Sequence, residues 1–350
     1  MTTLAGAPVT GLEPGPLETF RAGPGVLLHD DEARALWAAA GDATRGGRGV
    51  RPHLLRVAYA SLGGTDETAC AQLADAVELL HAAFVVHDDV IDHDDVRRGR
   101  PNVSGTFTAR AVDAGASGSA ARGYGRAAGI LAGDLALVAA TRSFATVPAR
   151  PEVVADLLAL LDRTVALSAA GELHDVRLAL QVDEPRVADT LAVAELKTAV
   201  YSFSLPLSAG AILAGATTAT VAALDRVGRL VGTAFQLHDD LLGVFGDEAR
   251  TGKSALSDLR EGKVTALVAH ARTTPAWPQV APAFGDPALT PRRAREVREH
   301  LERCGSRAFV TDLVGEHLTA AQSLARDAGL PEAVLRSLRT LVDDDVWSAG

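Results

Sequence analysis

The sequence predicts an all-α protein. Alanine and leucine dominate while aromatic residues make up 4%, a composition that favours helix over strand. Apolar residues recur at helical spacing from residue 25 onward, with breaks at Gly and Pro. No segment alternates apolar and polar side chains as a half-buried strand does. At 350 residues and 47% hydrophobic, the chain can fill a sizeable core.

Taken in order, residues 1–25 are rich in Gly and Pro and are expected to form a loose arm. Residues 26–350 are expected to form a single domain. The N-terminus lacks a basic start followed by an apolar run, so no signal peptide is expected. "LLHDDEARAL" reads as a helix start, its acids placed in the first turn where the helix dipole favours them. Thr65 or Asp66 caps a long helix through "ETACAQLADAVELLHAAFVVHDDVID". "VDAGASGSAARGYGRAAG" (112–129) is expected to be a flexible loop, and it holds no GxGxxG behind a strand, which excludes a dinucleotide site. Further helices are expected near 127–146, 152–180, 186–204, 207–216 and 219–244. The proline-rich stretch 274–291 connects to three more within 292–346. The uncharged run Thr198–Leu224 contains Pro206 and many small residues, and is expected to be buried helix rather than a membrane span.

A net charge of −10 excludes a general nucleic-acid binder. Cys70 and Cys304 have no metal or disulfide spacing and suit a reducing cytoplasm.

The chemistry concentrates in two aspartate clusters. "VVHDDVIDHDDVRRGRP" puts five aspartates between Asp88 and Asp95 behind an apolar run. At about 100° per residue, Asp88, Asp89 and Asp92 fall within one arc of a helix, and Asp88 and Asp92 lie one turn apart. Such a pair chelates a hard cation such as Mg²⁺, which takes one or two carboxylates plus substrate phosphates and water. His81, two turns before Asp88, shares that face. Asp94 and Asp95 lie past the helix end and are expected to be solvated and to partner nearby arginines. In the second cluster, "FQLHDD", Asp239 and Asp240 repeat the pattern, but Gly243 stands at the third position. The chain has only three lysines among 34 basic residues, Lys197, Lys253 and Lys263, and two of them follow this cluster. Lysine is a compact charge with rotatable donors, suited to a phosphate whose oxygens shift. In "RGGRGVRP", Arg48 and Arg51 can grip an anion beside backbone that Gly46 and Gly47 leave accessible.

These segments together resemble the trans-isoprenyl diphosphate synthases. The resemblance rests on "GGRGVRP", "ELLHAAFVVHDDVIDHDDVRRGRP", "GILAGD", "KTA", "FQLHDD", "TGK" and "EGKVT", in order from Gly46 to Thr265. It implies the isoprenoid synthase fold: a helical bundle around a deep apolar cavity with the aspartate clusters across its mouth. It also implies a homodimer, while the cysteines and the uncharged run lead to the expectation of a cytoplasmic protein without stable membrane insertion. By position, it assigns Asp88 and Asp92 to two Mg²⁺ ions and Asp239 to a third, with Asp89 and Asp240 in support. Arg97, Lys197, Thr198, Gln236, Lys253 and Lys263 would hold an allylic diphosphate. Gly47, Arg48, Arg51, His81 and Arg98 would hold the diphosphate of isopentenyl diphosphate. The implied reaction is head-to-tail condensation of the two substrates, with loops near 95–125 and 245–262 closing as lids. Ala83 and Phe84 would form the floor that sets chain length, and point to geranylgeranyl diphosphate, with farnesyl diphosphate next. Arg48 and Gly243 depart from the family pattern: lysine is usual at the first position and a third aspartate at the second.

Other readings fit less well. A terpene cyclase binds one diphosphate and needs no second anion site. A non-catalytic synthase subunit tends to lose its aspartates. A His-Asp metallohydrolase needs more histidine ligands than can be placed here.

Overall fold

Alanine- and leucine-rich segments fold as helices along the described chain. The computed structural model describes residues 14–24, 30–246 and 257–346, the side chains of 257 and 341–346 excepted. Among these residues the only strands are Val96–Arg97 (β1) and Arg100–Pro101 (β2), which pair antiparallel. The chain divides into two compact units, Met1–Arg48 with Ala71–Pro148, and Gly49–Cys70 with Ala149–Gly350. Neither unit is one contiguous piece, and no boundary falls at residue 25 or in the proline-rich stretch.

The first unit begins with a correction. Part of the expected loose arm is a helix, α1 (Pro16–Ala22), which opens on proline at its first turn. Its Phe20 is buried against Trp37 of α2 (Asp31–Ala43), ring centroids 5.8 Å apart, so apolar burial fixes a segment that composition suggested was loose. The helix start expected at "LLHDDEARAL" is present, with Asp31 and Glu32 in its first turn and Asp30 capping it by accepting from the backbone N–H groups of Glu32 and Ala33. The long helix α4 (Glu67–Ile91) starts behind Asp66, whose carboxylate accepts from Ala69 N at 2.9 Å. Leu73, Val77 and Leu80 line its buried side.

The expected flexible loop at 112–129 is also overturned. Helix α5 (Val103–Asp113) ends one short turn before α6 (Gly118–Ala145), which Ser117 caps. Alanine propensity makes the segment helical, and its glycines let two helices meet. A Cβ at Gly125 would overlap the Thr108 hydroxyl and the Ser104 carbonyl of α5.

The second unit contains α3 (Val50–Ser61), α7 (Pro151–Ala179) and α8 (Val187–Val193). An 11-residue π-helical segment, Ala194–Ser204, follows and leads directly into α9 (Leu205–Leu213). Pro206 has no N–H to offer the carbonyl four residues back, so the α register cannot run unbroken through this point. The sequence predicts an ordinary helix over 186–204; the wider turns are not visible in its apolar pattern. After α10 (Thr218–Phe245) come α11 (Ser257–Glu261), α12 (Ala266–Arg272) and a short α13 (Trp277–Val280) within the proline-rich connection. The three terminal helices are α14 (Pro291–Arg303), α15 (Ser306–Asp327) and α16 (Glu332–Val346).

Two apolar clusters hold this unit. Leu54, Phe203, Leu207, Leu224 and Val227 pack with Val334 and Leu338. Leu237, Leu241 and Val244 of α10 pack with Leu267, Val297, Leu301 and Val310. α10 contributes to both clusters, so the second aspartate pair sits on the best-anchored rod of the unit.

By length and composition, three stretches could cross a membrane: Glu67–Ile91, Gly118–Ala145 and Val187–Leu213. Their apolar windows are 61%, 44% and 67% buried within the protein.

Two neighbouring glycines give a controlled test of α6. Nothing lies within 4 Å of a Cβ at Gly123, so Gly123→Ala is expected to stabilise the protein, by up to about 1 kcal/mol. Gly125→Ala is expected to destabilise it by about 1–3 kcal/mol through forced separation of α5 and α6. Denaturant unfolding of both variants checks the opposite signs.

Candidate active site

The first aspartate cluster stands where α4 ends. Carboxylates at a helix C-terminus face an unfavourable dipole and need a cation. Arg97 supplies one: its Nε donates to Asp89 Oδ1 at 2.6 Å, and its Nη2 to Asp88 Oδ2 at 3.0 Å. The Asp89 side chain is only 5% exposed, that of Asp88 25%, and Asp92 is exposed. Although α4 ends at Ile91, Asp92 N donates to Asp88 O at 2.8 Å, so Asp92 keeps the helical register predicted for it.

Arg97 can reach back because β1 and β2 form a hairpin around Arg98 and Gly99, both at positive φ (54° and 72°). Positive φ at both central residues is the tightest reversal compatible with strand twist, and glycine is the residue for its second position. Arg98 Nη1 donates to the Arg45 carbonyl at 3.1 Å. The start of the glycine-rich loop at Arg45 and Gly46 thus meets Arg98.

Asp94 and Asp95 do not take the arginines predicted for them. Asp88 and Asp89 hold Arg97, while the Asp94 and Asp95 carbonyls accept from Asn102. The "GILAGD" stretch acquires a physical reason on α6. A Cβ at Gly129 would overlap Val90, and one at Gly133 would overlap His87, so these glycines let α6 lie against the turn carrying the aspartates. Ala83 is fully buried, and His81 and Phe84 are half-buried.

The second cluster is built on α10 and the π segment. Thr198 donates to Gln236 Oε1 at 2.8 Å, Gln236 Nε2 donates to Asp240 Oδ1 at 3.0 Å, and Lys263 Nζ donates to the same oxygen at 2.9 Å. Four residues that the resemblance assigns thus form one hydrogen-bonded chain. Asp240 is buried and Asp239 exposed. The Asp240 charge holds the Lys263 ammonium above the ordinary lysine range, so it stays protonated. Arg51 Nη2 donates to Ser202 Oγ at 2.7 Å, and its guanidinium lies 4.9 Å from the Tyr201 ring centroid. Lys253 lies outside the described residues.

Arg97, Lys197 and Lys263, assigned to diphosphate, are each held by carboxylates in this structure. Lys197 Nζ lies 2.7 Å from Asp175 and 3.1 Å from Glu172, both on α7. The lid expected at 95–125 is a hairpin followed by α5 and the start of α6; of the second lid, 247–256 lie outside the described residues. Gly243 has a local cause: a Cβ there would overlap the Asp258 carboxylate of α11. Sequence reasoning missed Glu172, Asp175, Tyr201, Ser202 and Asp258. Two acids three apart in "GELHD" were the visible signal for the first pair.

The donor atoms suit a hard cation, since Asp88, Asp92 and Asp239 offer only oxygen. Among the described residues no three His, Cys, Asp or Glu side chains converge into a ready metal cage. An ion that takes most of its ligands from diphosphate and water needs no such cage.

Two aspartate pairs near the ends of apolar helices, each with a basic side chain returned from a later segment, mark the class as an all-helical protein with acidic, oxygen-donor clusters. Comparison with known proteins specifies the class. The polyprenyl synthetase family model matches residues 35–292. The geranylgeranyl diphosphate synthase of Sulfolobus acidocaldarius is 34% identical over 64% of this chain, a match spanning 63% of that protein's length, under two thirds. The (2E,6E)-farnesyl diphosphate synthase of Mycobacterium tuberculosis is 33% identical over 84% of this chain and 78% of its own. A geranylgeranyl pyrophosphate synthase of Corynebacterium glutamicum, crystallised with isoprenyl diphosphate and magnesium, superimposes with a TM-score of 0.85 at 29% identity, covering 94% of this chain and 96% of that one. The chain belongs to the polyprenyl synthetase family.

Two measurements test the site. Burial pushes the Asp89 carboxyl up to about 6, against the pull of Arg97. Between its ordinary value of 3.8 and about 6, only the folded state holds this proton, so the Asp89 contribution to stability falls as pH rises through that window. In chelator-treated protein, the melting temperature of the wild type relative to Asp89→Asn is expected to fall between pH 4 and 7. Gly243→Ala is expected to keep or raise the melting temperature, alanine being the better helix former by up to about 1 kcal/mol.

Proposed function

We propose that the protein is a magnesium-dependent trans-prenyltransferase that condenses isopentenyl diphosphate head-to-tail with an allylic diphosphate, chiefly to geranylgeranyl diphosphate. The observation that carries this reading is the repeated pairing of a buried aspartate with a cation beside an exposed aspartate: Asp89 with Arg97 next to Asp88 and Asp92, and Asp240 with Lys263 next to Asp239. In each cluster the buried acid anchors a basic side chain, which in the first cluster also reaches Asp88, and a more exposed acid, Asp92 or Asp239, stands beside it. Family membership and the relatives' names support the same reaction class.

Asp88 and Asp92 would hold two Mg²⁺ ions, and Asp239 a third. When bound, these ions would neutralise charge building on the departing diphosphate. Arg97, Lys197, Lys253 and Lys263 would bind that diphosphate, with Thr198 and Gln236 fixing the geometry of the chain that ends on Lys263. Arg51, braced by Tyr201 and Ser202, would orient isopentenyl diphosphate together with Gly47, Arg48, His81 and Arg98. Departure of the diphosphate leaves an allylic cation, the double bond of the second substrate attacks it, and a proton is lost to the released diphosphate. No protein nucleophile is required.

Relatives are named for farnesyl, geranylgeranyl and octaprenyl products, so product length is argued from this chain's own residues. Ala83 leaves room for one more isoprene unit than an aromatic would, and Phe84 limits longer growth. The proposal includes residues 26–350 acting as one synthase domain in a cytoplasmic homodimer without stable membrane insertion. The exposed Leu131 and Val138 of α6 offer apolar surface for a second copy.

Purified protein incubated with Mg²⁺, isopentenyl diphosphate and each of the dimethylallyl, geranyl and farnesyl primers is expected to yield geranylgeranyl diphosphate by chromatography. No elongation from any primer would refute the reading, and a cyclised hydrocarbon from one diphosphate alone would replace it with a cyclase. Asp88→Ala is expected to cost at least about a hundredfold in kcat/KM with the fold intact. Ala83→Phe is expected to shorten the product and Phe84→Ala to lengthen it.

A further inference from the structure

The side chain proposed to receive the departing diphosphate is already engaged. Lys197 Nζ sits between Asp175 Oδ2 at 2.7 Å and Glu172 Oε2 at 3.1 Å. The three side chains are 23%, 23% and 21% exposed, so solvent screens them only in part. Glu172 and Asp175 lie one turn apart on α7 and face the π segment carrying Lys197. Gly171 makes this approach possible: a Cβ there would overlap Lys197 N and stand 2.8 Å from Leu196 Cβ.

Two features argue against a merely structural ion pair. One carboxylate would neutralise the lysine; two leave a formal excess negative charge beside a group meant to meet an anion. Among the described residues arginine serves most other ion pairs, such as those to Glu32, Asp183, Glu195 and Glu302, in keeping with three lysines among 34 basic residues. Arginine's rigid fork favours a fixed partner, whereas an ammonium on a flexible stem can rotate from one oxygen to another.

We propose that Glu172 and Asp175 are positioning residues through which Lys197 exchanges counter-ions. In the resting protein the two carboxylates keep the ammonium charged and aimed. When diphosphate arrives, Lys197 turns to it, and the same carboxylates compete for the lysine as product leaves. They thereby weaken binding of released pyrophosphate and speed turnover. This rests on the function proposed above; no bond is made or broken in the exchange.

The test is calorimetric titration of inorganic pyrophosphate, in excess Mg²⁺, into the full-length protein. Wild type, Glu172→Gln, Asp175→Asn, Lys197→Gln and the Glu172→Gln/Lys197→Gln double variant are compared. Each single acid variant is expected to tighten pyrophosphate binding about two- to fivefold. KM for the allylic diphosphate and kcat should fall together, the latter through slower release. With Lys197 replaced, Glu172→Gln is expected to bring little further gain. If one acid variant fails to fold, the other carries the test. Unchanged or weaker pyrophosphate binding in folded acid variants overturns the exchange. An equal gain in the Lys197→Gln background also overturns it, by reducing the effect to plain charge repulsion. If the wild type elongates substrate while these variants bind pyrophosphate as it does, only the exchange is lost. If the wild type elongates nothing, the function fails and takes the exchange with it.

Discussion

A carboxylate buried at the C-terminal end of an apolar helix must be given a cation, and much of this structure follows from that requirement. Asp89 and Asp240 are each almost sealed from water at the last turns of α4 and α10. Burial without a partner costs more than the fold could sustain, and the helix dipole adds to the cost. The chain meets this by folding a later segment back. A two-residue hairpin returns Arg97 to the first acid, and the segment after α11 returns Lys263 to the second. The neighbouring aspartates lie closer to water, and Asp88 shares Arg97 with Asp89. The acids and their cations are therefore one construction, and removing either half strands the other.

The same construction demands close helix contact, and glycine supplies it. Gly125 and Gly129 bring α6 against α5 and the last turn of α4, and Gly133 clears His87. In the second unit, Gly228 and Gly232 of α10 press on the π segment, where an added Cβ would come within 2.7 Å of the Ser204 backbone or 2.6 Å of Ala199. These contacts fix side chains such as Thr198 and Gln236 at hydrogen-bonding distance without any large residue between the rods.

Much of this could be read in the sequence, because the signals were of the right kind. Apolar periodicity placed α7 and α10 nearly to their ends, Asp66 declared the cap of α4, and the 88/89/92 spacing placed three carboxylates on one arc. What could not be read depended on partners distant in the chain. The stretch 112–129 is written in glycine and alanine, which spell a loop until α5 is seen lying against it. Phe20 looks like part of a tail until Trp37 is beside it. Gly243 reads as a lost aspartate; only the Asp258 carboxylate shows that the space is taken. Glu172 and Asp175 resemble any acids on a solvated face, since their meaning lies 22 to 25 residues away, on Lys197.

The π segment carries a consequence of its own. A helix with i→i+5 turns holds more residues per turn than an α-helix of the same height. Lys197, Thr198, Tyr201 and Ser202 all sit on it, so their facing depends on how many residues the segment contains as well as which they are. Loss of a single residue between 194 and 204 would let the rod settle into ordinary α geometry, and everything after the gap would turn by about 100° relative to everything before. Such a deletion could leave composition and hydrophobicity almost untouched while uncoupling the lysine from the side chains that face Arg51 and Gln236. Over evolutionary time this stretch should therefore tolerate exchanges of residue more readily than changes of length.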